Sequence, residues 1–239
     1  MCSVRLAFSN TTHIPIKLDK NTMNELSAYW VERSKEYANI PEKAPEVDIL
    51  LGFISDLQPK RVLEVGCNYG RELKYLEGLA RLYGVDMIPE MIEHAKGYVR
   101  GTFKVGDAHN IPFNTNFVDL VYTDGLLSHL PPEKMKASIS ELVRVSKKHL
   151  LIIEYLGTRM GRNTIQNCKK FTWVHDYERM VAPFNLIIKY NQERFLGADL
   201  YKILLLEKNV PKLETIIREK EKKRLFELKV GKWKIGFGK

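Results

Sequence analysis

Arg61-Val-Leu-Glu-Val-Gly-Cys-Asn-Tyr-Gly70 is the stretch on which the fold turns. A short apolar run carrying Glu64 leads into two glycines spaced four apart, Gly66 and Gly70. A helical pattern follows at once, from Arg71 to Gly78. This order predicts a strand, a tight turn and a helix. Glycine in such a turn lets backbone N–H groups approach a ligand closely. Turns of this kind serve several nucleotide-like ligands, and the neighbouring segments decide among them.

Outward from the turn, strands and helices alternate. Arg81–Val85, Thr102–Val105, Phe117–Tyr122 and His149–Tyr155 read as strands, the last nearly all apolar and therefore central. Pro89–Val99 and Pro132–Ser146 read as helices, with apolar stripes through Ile92 and Ala95 and through Met135, Ile139 and Leu142. Repeated βα units predict a parallel, doubly wound sheet. Phe184–Tyr190 and Leu200–Glu207 lack a helix-length spacer, so they should pair antiparallel at one edge. The expected fold is α/β: a doubly wound, seven-stranded, mostly parallel sheet with an antiparallel C-terminal hairpin, N-terminal helices and a basic C-terminal tail.

Ahead of the sheet, Thr22 to Tyr37 shows helical spacing, with Leu26, Tyr29, Trp30, Arg33 and Tyr37 on one side. Pro45 suits a first helical turn, and Val47, Leu50, Leu51 and Ile54 recur at the spacing of a buried stripe. Three segments result: 1–60, an arm and helices placed as a lid; 61–207, the ligand-binding domain, with an insert at 157–181; and 208–239, a basic extension.

Composition narrows the class. Net charge is +9 over 239 residues, and residues 208–239 hold eleven Lys or Arg against four Glu, so +7 of it lies in the tail. The rest is close to neutral, which disfavours a nucleic-acid binder spread over the whole domain. Cys2, Cys67 and Cys168 are sparse and lack CxxC spacing, which argues against a disulfide framework and a zinc site. No apolar run approaches the roughly 20 residues of a bilayer span, and the first residues lack a long apolar leader core. A cytoplasmic protein without a membrane span is expected.

Glu64-x-Gly66-x-Asn68-x-Gly70 resembles the first motif of class I S-adenosylmethionine methyltransferases, E/D-x-G-x-G-x-G, with Asn68 at the middle glycine. The resemblance covers about 61–207. Gly-x-Gly-x-x-Gly of dinucleotide folds and the Gly-Lys-Ser/Thr of P-loops are absent. The resemblance implies S-adenosylmethionine as cofactor, held at the turn by Glu64, Gly66, Cys67, Asn68 and Gly70. It also implies Asp86 on the ribose hydroxyls, Met87 beside the adenine, and Asp107 with Ala108 reading the adenine edge. Asp86 ends the second strand about twenty residues past the first glycine, where a carboxylate meets a ribose. Asp and Asn at such ends also cap helices or form turns.

Thr123, Asp124 and Gly125 should lie at the carboxyl edge of the fourth strand, beside the reactive methyl. Asp124 and His129 are candidate catalytic groups by position, and His175 is a third. Arg33 could reach the cofactor carboxylate while Tyr29 and Trp30 close over it. Phe171, Trp173 and Tyr177 could wall the acceptor pocket. A small-molecule acceptor with an O or N nucleophile is expected. RNA (ribose) or protein methylation through the 208–239 tail, or a non-catalytic binding module, are the alternatives. Asn/Asp-Pro-Pro-Tyr/Phe and a Pro-Cys catalytic pair are both absent, which speaks against base methylation.

Overall fold

The computed structural model describes residues 25, 28–32, 43–158, 172–197 and 199–209. Its sheet has seven strands: β1 (Arg61–Val65), β2 (Arg81–Asp86), β3 (Thr102–Val105), β4 (Val118–Asp124), β5 (Ser146–Thr158), β6 (Leu186–Leu196) and β7 (Asp199–Lys208). Their order across the sheet is β3-β2-β1-β4-β5-β7-β6. β1 pairs in parallel with β2 and β4, β2 with β3, and β4 with β5, whereas β5 and β7 are antiparallel. The strand order reverses between β1 and β4, the place where open α/β sheets bind ligands. This is the doubly wound architecture that the alternating pattern predicts, with its antiparallel C-terminal strands.

Helices cover both faces: α1 (Pro45–Leu57), α2 (Pro89–Tyr98), α3 (Pro132–Val145) and α4 (Tyr177–Val181). Alternate side chains of a strand point to opposite faces, and the core divides accordingly. Leu63, Val121, Leu150, Ile152 and Leu204 pack with Met135, Ile139 and Leu142 of α3 and with Tyr177 of α4. Val62, Leu120, Leu151, Ile153 and Ile203 pack with Leu50 and Ile54 of α1 and with Ile92 and Ala95 of α2. Burial on both faces explains why β4 and β5 read as nearly continuous apolar runs.

Several boundaries differ from the sequence reading. The Arg71–Glu77 helix is a single 3-10 turn, Leu73–Leu76. Only Leu73 and Leu76 bury there, and a separation of three matches a 3-10 turn. β5 does not stop at Tyr155; it bulges past it and continues to Thr158, held by pairing of Tyr155 with Tyr201, Gly157 with Leu200 and Thr158 with Asp199. Gly157 and Thr158, placed in the insert by the sequence reading, therefore belong to β5. β6 begins at Leu186, after a 3-10 turn (Ala182–Phe184) and Asn185 with φ 51°.

Residues 28–32 are helical, while Leu26, Arg33 and Tyr37 lie outside the described residues, as do Phe171 and nearly all of 208–239. The chain divides into two compact units, Met1–Glu207 and Lys208–Lys239. Among the described residues, no helix is long and apolar enough to cross a membrane, and no His/Cys/Asp/Glu group could hold a metal ion.

Candidate active site

The β1 turn is built by backbone. Gly66 and Cys67 donate their N–H groups to the Val85 carbonyl at 2.8 and 3.0 Å, tying the turn to β2. Gly66 has φ 81° and Asn68 φ 48°, both left-handed. Asparagine is among the few residues with a Cβ that adopt this conformation readily. Asn68 therefore stands at the middle glycine position of the motif in a left-handed conformation that its side chain tolerates. Its side-chain Oδ1 accepts the Tyr69 N–H at 2.8 Å.

The turn opens onto a cavity of about 410 Å³ at the carboxyl edge of the sheet, within the range of small-molecule and cofactor sites. Glu64, Gly66, Asn68, Asp86, Met87, Asp107, Ala108, Asp124 and His129, all expected at the site, line it. Asp86 closes the β1 and β2 loops together: Oδ2 accepts the Asn68 N–H at 2.8 Å and Oδ1 accepts the Ile88 N–H at 3.0 Å. Asp107 accepts the His109 N–H at 3.2 Å and pairs with the His109 ring. The His129 ring meets the edge of Trp30 with centroids 4.5 Å apart, and its Nδ1 lies 3.4 Å from the Thr172 hydroxyl.

Four expected residues are elsewhere. Cys67 is fully buried in the core on the α1/α2 face, its Sγ 3.5 Å from the Asn68 carbonyl. Gly70 stands outside the cavity; a Cβ there would come within 2.9 Å of Val99, so the residue serves packing. Thr123 points to the face opposite Asp124 and is buried behind the cavity wall. His175 is buried away from the cavity, with its Nε2 2.9 Å from the Leu130 carbonyl and its ring edge-on to Tyr177. Of the expected aromatic wall, Phe171 lies outside the described residues, Tyr177 belongs to the core, and Trp173, whose backbone N–H donates to the Ser128 carbonyl at 2.7 Å, is not among the lining residues. Trp30, Tyr155 and Tyr201 supply the rings instead.

The sequence reading missed Arg71, Glu72, Glu46 and Asp199, which also line the cavity. Arg71 and Glu72 directly follow Gly70, a signal that was available. Tyr155, Asp199 and Tyr201 meet only through the β5–β7 pairing.

Charge is the site's main physical property. Glu46, Glu64, Glu72, Asp86, Asp107, Asp124 and Asp199 line the cavity, against Arg71 and the ring of His129. Burial, and then the neighbouring Glu72, push Glu64 well above the usual carboxylate range, although the Tyr122 hydroxyl and Arg71 oppose the shift. Burial followed by Glu72 and Glu46 does the same to Asp124. Burial raises Asp86 against the pull of its backbone N–H partners. Arg71 donates to Glu72 at 2.8 Å; burial works against its charge, and Glu72 outweighs burial. The Glu64 Oε2 atom is buried without a hydrogen-bond partner. A buried acceptor left unmatched in this way is costly, and a cationic donor placed in the cavity would satisfy it.

Strand order and turn together define the Rossmann-like methyltransferase fold. Residues 62–149 match the family model described as a methyltransferase domain. Over those residues the chain is similar to the methyltransferase domain of class I S-adenosylmethionine-dependent methyltransferases. It is 29% identical over 132 residues to the probable chloroplastic tocopherol O-methyltransferase of Oryza sativa subsp. japonica, spanning 52% of this chain and 33% of that protein. It is 29% identical over 101 residues to norajmaline N-methyltransferase of Rauvolfia serpentina, spanning 37% of this chain and 33% of that protein. The chain thus spans about a third of the length of these curated relatives. Its fold matches magnesium protoporphyrin IX methyltransferase from Synechocystis PCC 6803, crystallised with bound SAH, with a TM-score of 0.65 and 17% identity over 80% of this chain and 100% of that one.

Proposed function

We propose that this chain transfers a methyl group from S-adenosylmethionine to an O or N nucleophile of a small-molecule acceptor by in-line displacement. The observation that carries this reading is the acidic cavity at the sheet's switch point, with Glu64, whose Oε2 atom lacks a hydrogen-bond partner, in its wall. An anionic dinucleotide would meet seven acidic groups there, whereas a ligand bearing a sulfonium and an ammonium group favours their ionised forms. The two curated relatives, named for O- and N-methylation of small molecules, support the acceptor class.

The cofactor supplies an activated methyl group, so orientation contributes much of the rate. Glu64 would hold the ammonium group. Asp86 would accept the ribose hydroxyls, with Met87 beside the adenine, and Asp107 and Ala108 would read the adenine edge. Gly66 and Asn68 keep bare backbone against the ligand. Asp124 and His129 stand where a departing acceptor proton could be taken up. Glu46, Asp199, Tyr155 and Tyr201 form the remaining wall; this acidic side favours neutral or cationic acceptors over anionic ones. The +7 of the 208–239 tail supports RNA or protein as the second reading.

The deciding experiment incubates the protein with methyl-labelled S-adenosylmethionine and a cell extract, then fractionates the products. Label in an identified small molecule is expected. Label confined to RNA or protein would favour the second reading. No label, with no S-adenosylhomocysteine binding at millimolar concentration, would overturn the methyltransferase reading.

A proton signature should accompany binding. Glu64 and Asp124 have folded pKa values above their ordinary ones. Their ionisation therefore costs stability as pH rises from the ordinary carboxylate range through the folded values. A bound cation favours the ionised form, so S-adenosylmethionine should displace protons and bind more tightly as pH rises. Calorimetry at several pH values above the ordinary carboxylate range, in buffers of different ionisation enthalpy, measures this directly. Equal heats in all buffers would contradict it.

A further inference from the structure

Glu154 on β5 has 0% exposure and is not part of the cavity wall. Its Oε1 accepts the Leu126 N–H at 3.2 Å and the Leu127 N–H at 2.9 Å, and its Oε2 accepts the Ser128 N–H at 3.0 Å. These three amides begin the 3-10 turn Leu127–His129, and Leu126, Ser128 and His129 all line the cavity. The turn's own bonds are few: the His129 N–H donates to the Leu126 carbonyl at 2.9 Å and the Leu130 N–H to the Leu127 carbonyl at 3.1 Å. One short turn holds weakly by itself. The contact that fixes it to the sheet is a carboxylate 26 to 28 residues away in sequence.

We propose that Glu154 is a positioning residue for the methyl-transfer site. In its ionised form it clamps the turn that presents Ser128 and His129 to the cavity, and protonation releases that turn and weakens cofactor binding. The effect on ligand rests on the cavity being the cofactor site; the clamp rests on the hydrogen bonds alone. An ionised carboxylate is a pure acceptor and serves all three amides. A protonated one carries an O–H donor and loses acceptor capacity, leaving a buried amide poorly served.

The groups facing Glu154 come from four elements. β4 contributes the Thr123 hydroxyl and the more distant Asp124, the turn contributes the Ser128 hydroxyl, and α4 contributes Tyr177. β7 places Lys202 opposite it in register, with the Lys202 ammonium paired to Glu178 of α4. Burial pushes Glu154 up to about 7 against the pull of the Leu127 and Ser128 amides and the hydroxyls. Both forms are therefore populated around neutral pH. Ionisation between the ordinary carboxylate range and that value costs global stability, even as it tightens the turn locally.

Two measurements test this. In the ligand-free protein, hydrogen-exchange protection factors of the Leu126, Leu127 and Ser128 amides should rise between pH 6 and pH 8, relative to amides of β1. In parallel, S-adenosylhomocysteine affinity is titrated over the same range in wild type and Glu154→Gln. Wild-type affinity should rise with pH. Glu154→Gln should bind roughly tenfold more weakly at pH 8, the equivalent of one buried hydrogen bond, and should show a shallower pH dependence than wild type. Glu64 and Asp124 stay in place in the variant, so the Glu154 contribution is the difference in slope between wild type and Glu154→Gln, and equal slopes would overturn the proposal. A uniform loss at every pH would mark Glu154 as merely structural and overturn it too, as would pH-independent amide protection. Should Glu154→Gln fail to fold, the wild-type amides decide. Absence of S-adenosylhomocysteine binding at every pH would overturn the proposed function, while the amide measurement would still judge the clamp.

Discussion

Asp86→Ala is expected to weaken S-adenosylhomocysteine binding by about 100-fold, the equivalent of losing two hydrogen bonds to a charged group at roughly 1.5 kcal/mol each. Asp86 does two jobs with one carboxylate. It lines the cavity, and it accepts the Asn68 and Ile88 N–H groups that draw the β1 and β2 loops together. Truncation removes the group proposed to hold the ribose. It also leaves two loop amides without their acceptor, so melting temperature should fall as well. Calorimetry below the variant's melting transition separates the two effects. Affinity within threefold of wild type would remove Asp86 from the ligand site and leave it as a loop anchor.

Gly66→Ala is expected to damage both stability and binding. The position has φ 81°, and a Cβ there would lie 2.9 Å from Leu126 Cδ1. The left-handed conformation costs a residue with a Cβ about 1–2 kcal/mol, and overpacking adds about 1–3 kcal/mol. For a domain of this size that corresponds to a fall in melting temperature of roughly 5–15 °C. Leu126 is itself part of the cavity wall and bonds to Glu154 through its amide. The displaced side chain should therefore loosen the Leu127–His129 turn, and S-adenosylhomocysteine affinity should fall together with stability. Thermal melts with and without the ligand check this. A variant with wild-type melting temperature would show that the turn relaxes without cost.

Much of the site was legible because its groups lie at the ends of consecutive strands. Glu64, Asp86, Asp107 and Asp124 each fall at or just beyond the carboxyl end of a parallel strand. Parallel connection brings such ends to one edge. The glycine spacing was legible for a related reason: left-handed backbone at 66 and 68 needs glycine or asparagine, whatever the rest of the chain does.

Which side of a strand or turn a residue faces was less legible. Thr123 and Cys67 sit one residue from cavity-lining neighbours, and a single step reverses the direction of a strand side chain. Nothing local says that Gly70 makes room for Val99. His175 looked catalytic by residue type, but packing turned its Nε2 to the Leu130 carbonyl. The helix expected after the turn shrank to Leu73–Leu76 because only two of its residues found a core to enter.

Chain order therefore settled the class of fold and the acidic groups at the strand ends, since local periodicity and left-handed turns impose them residue by residue. The Tyr155 and Tyr201 side of the cavity and the contacts of Glu154 belong to the packed sheet. Tyr155 meets Tyr201 through the antiparallel register of β5 and β7, and Glu154 reaches amides 26 to 28 residues away only because β5 lies beside β4. Such partners are chosen by which strands become neighbours, and that choice is made by burial over the whole domain.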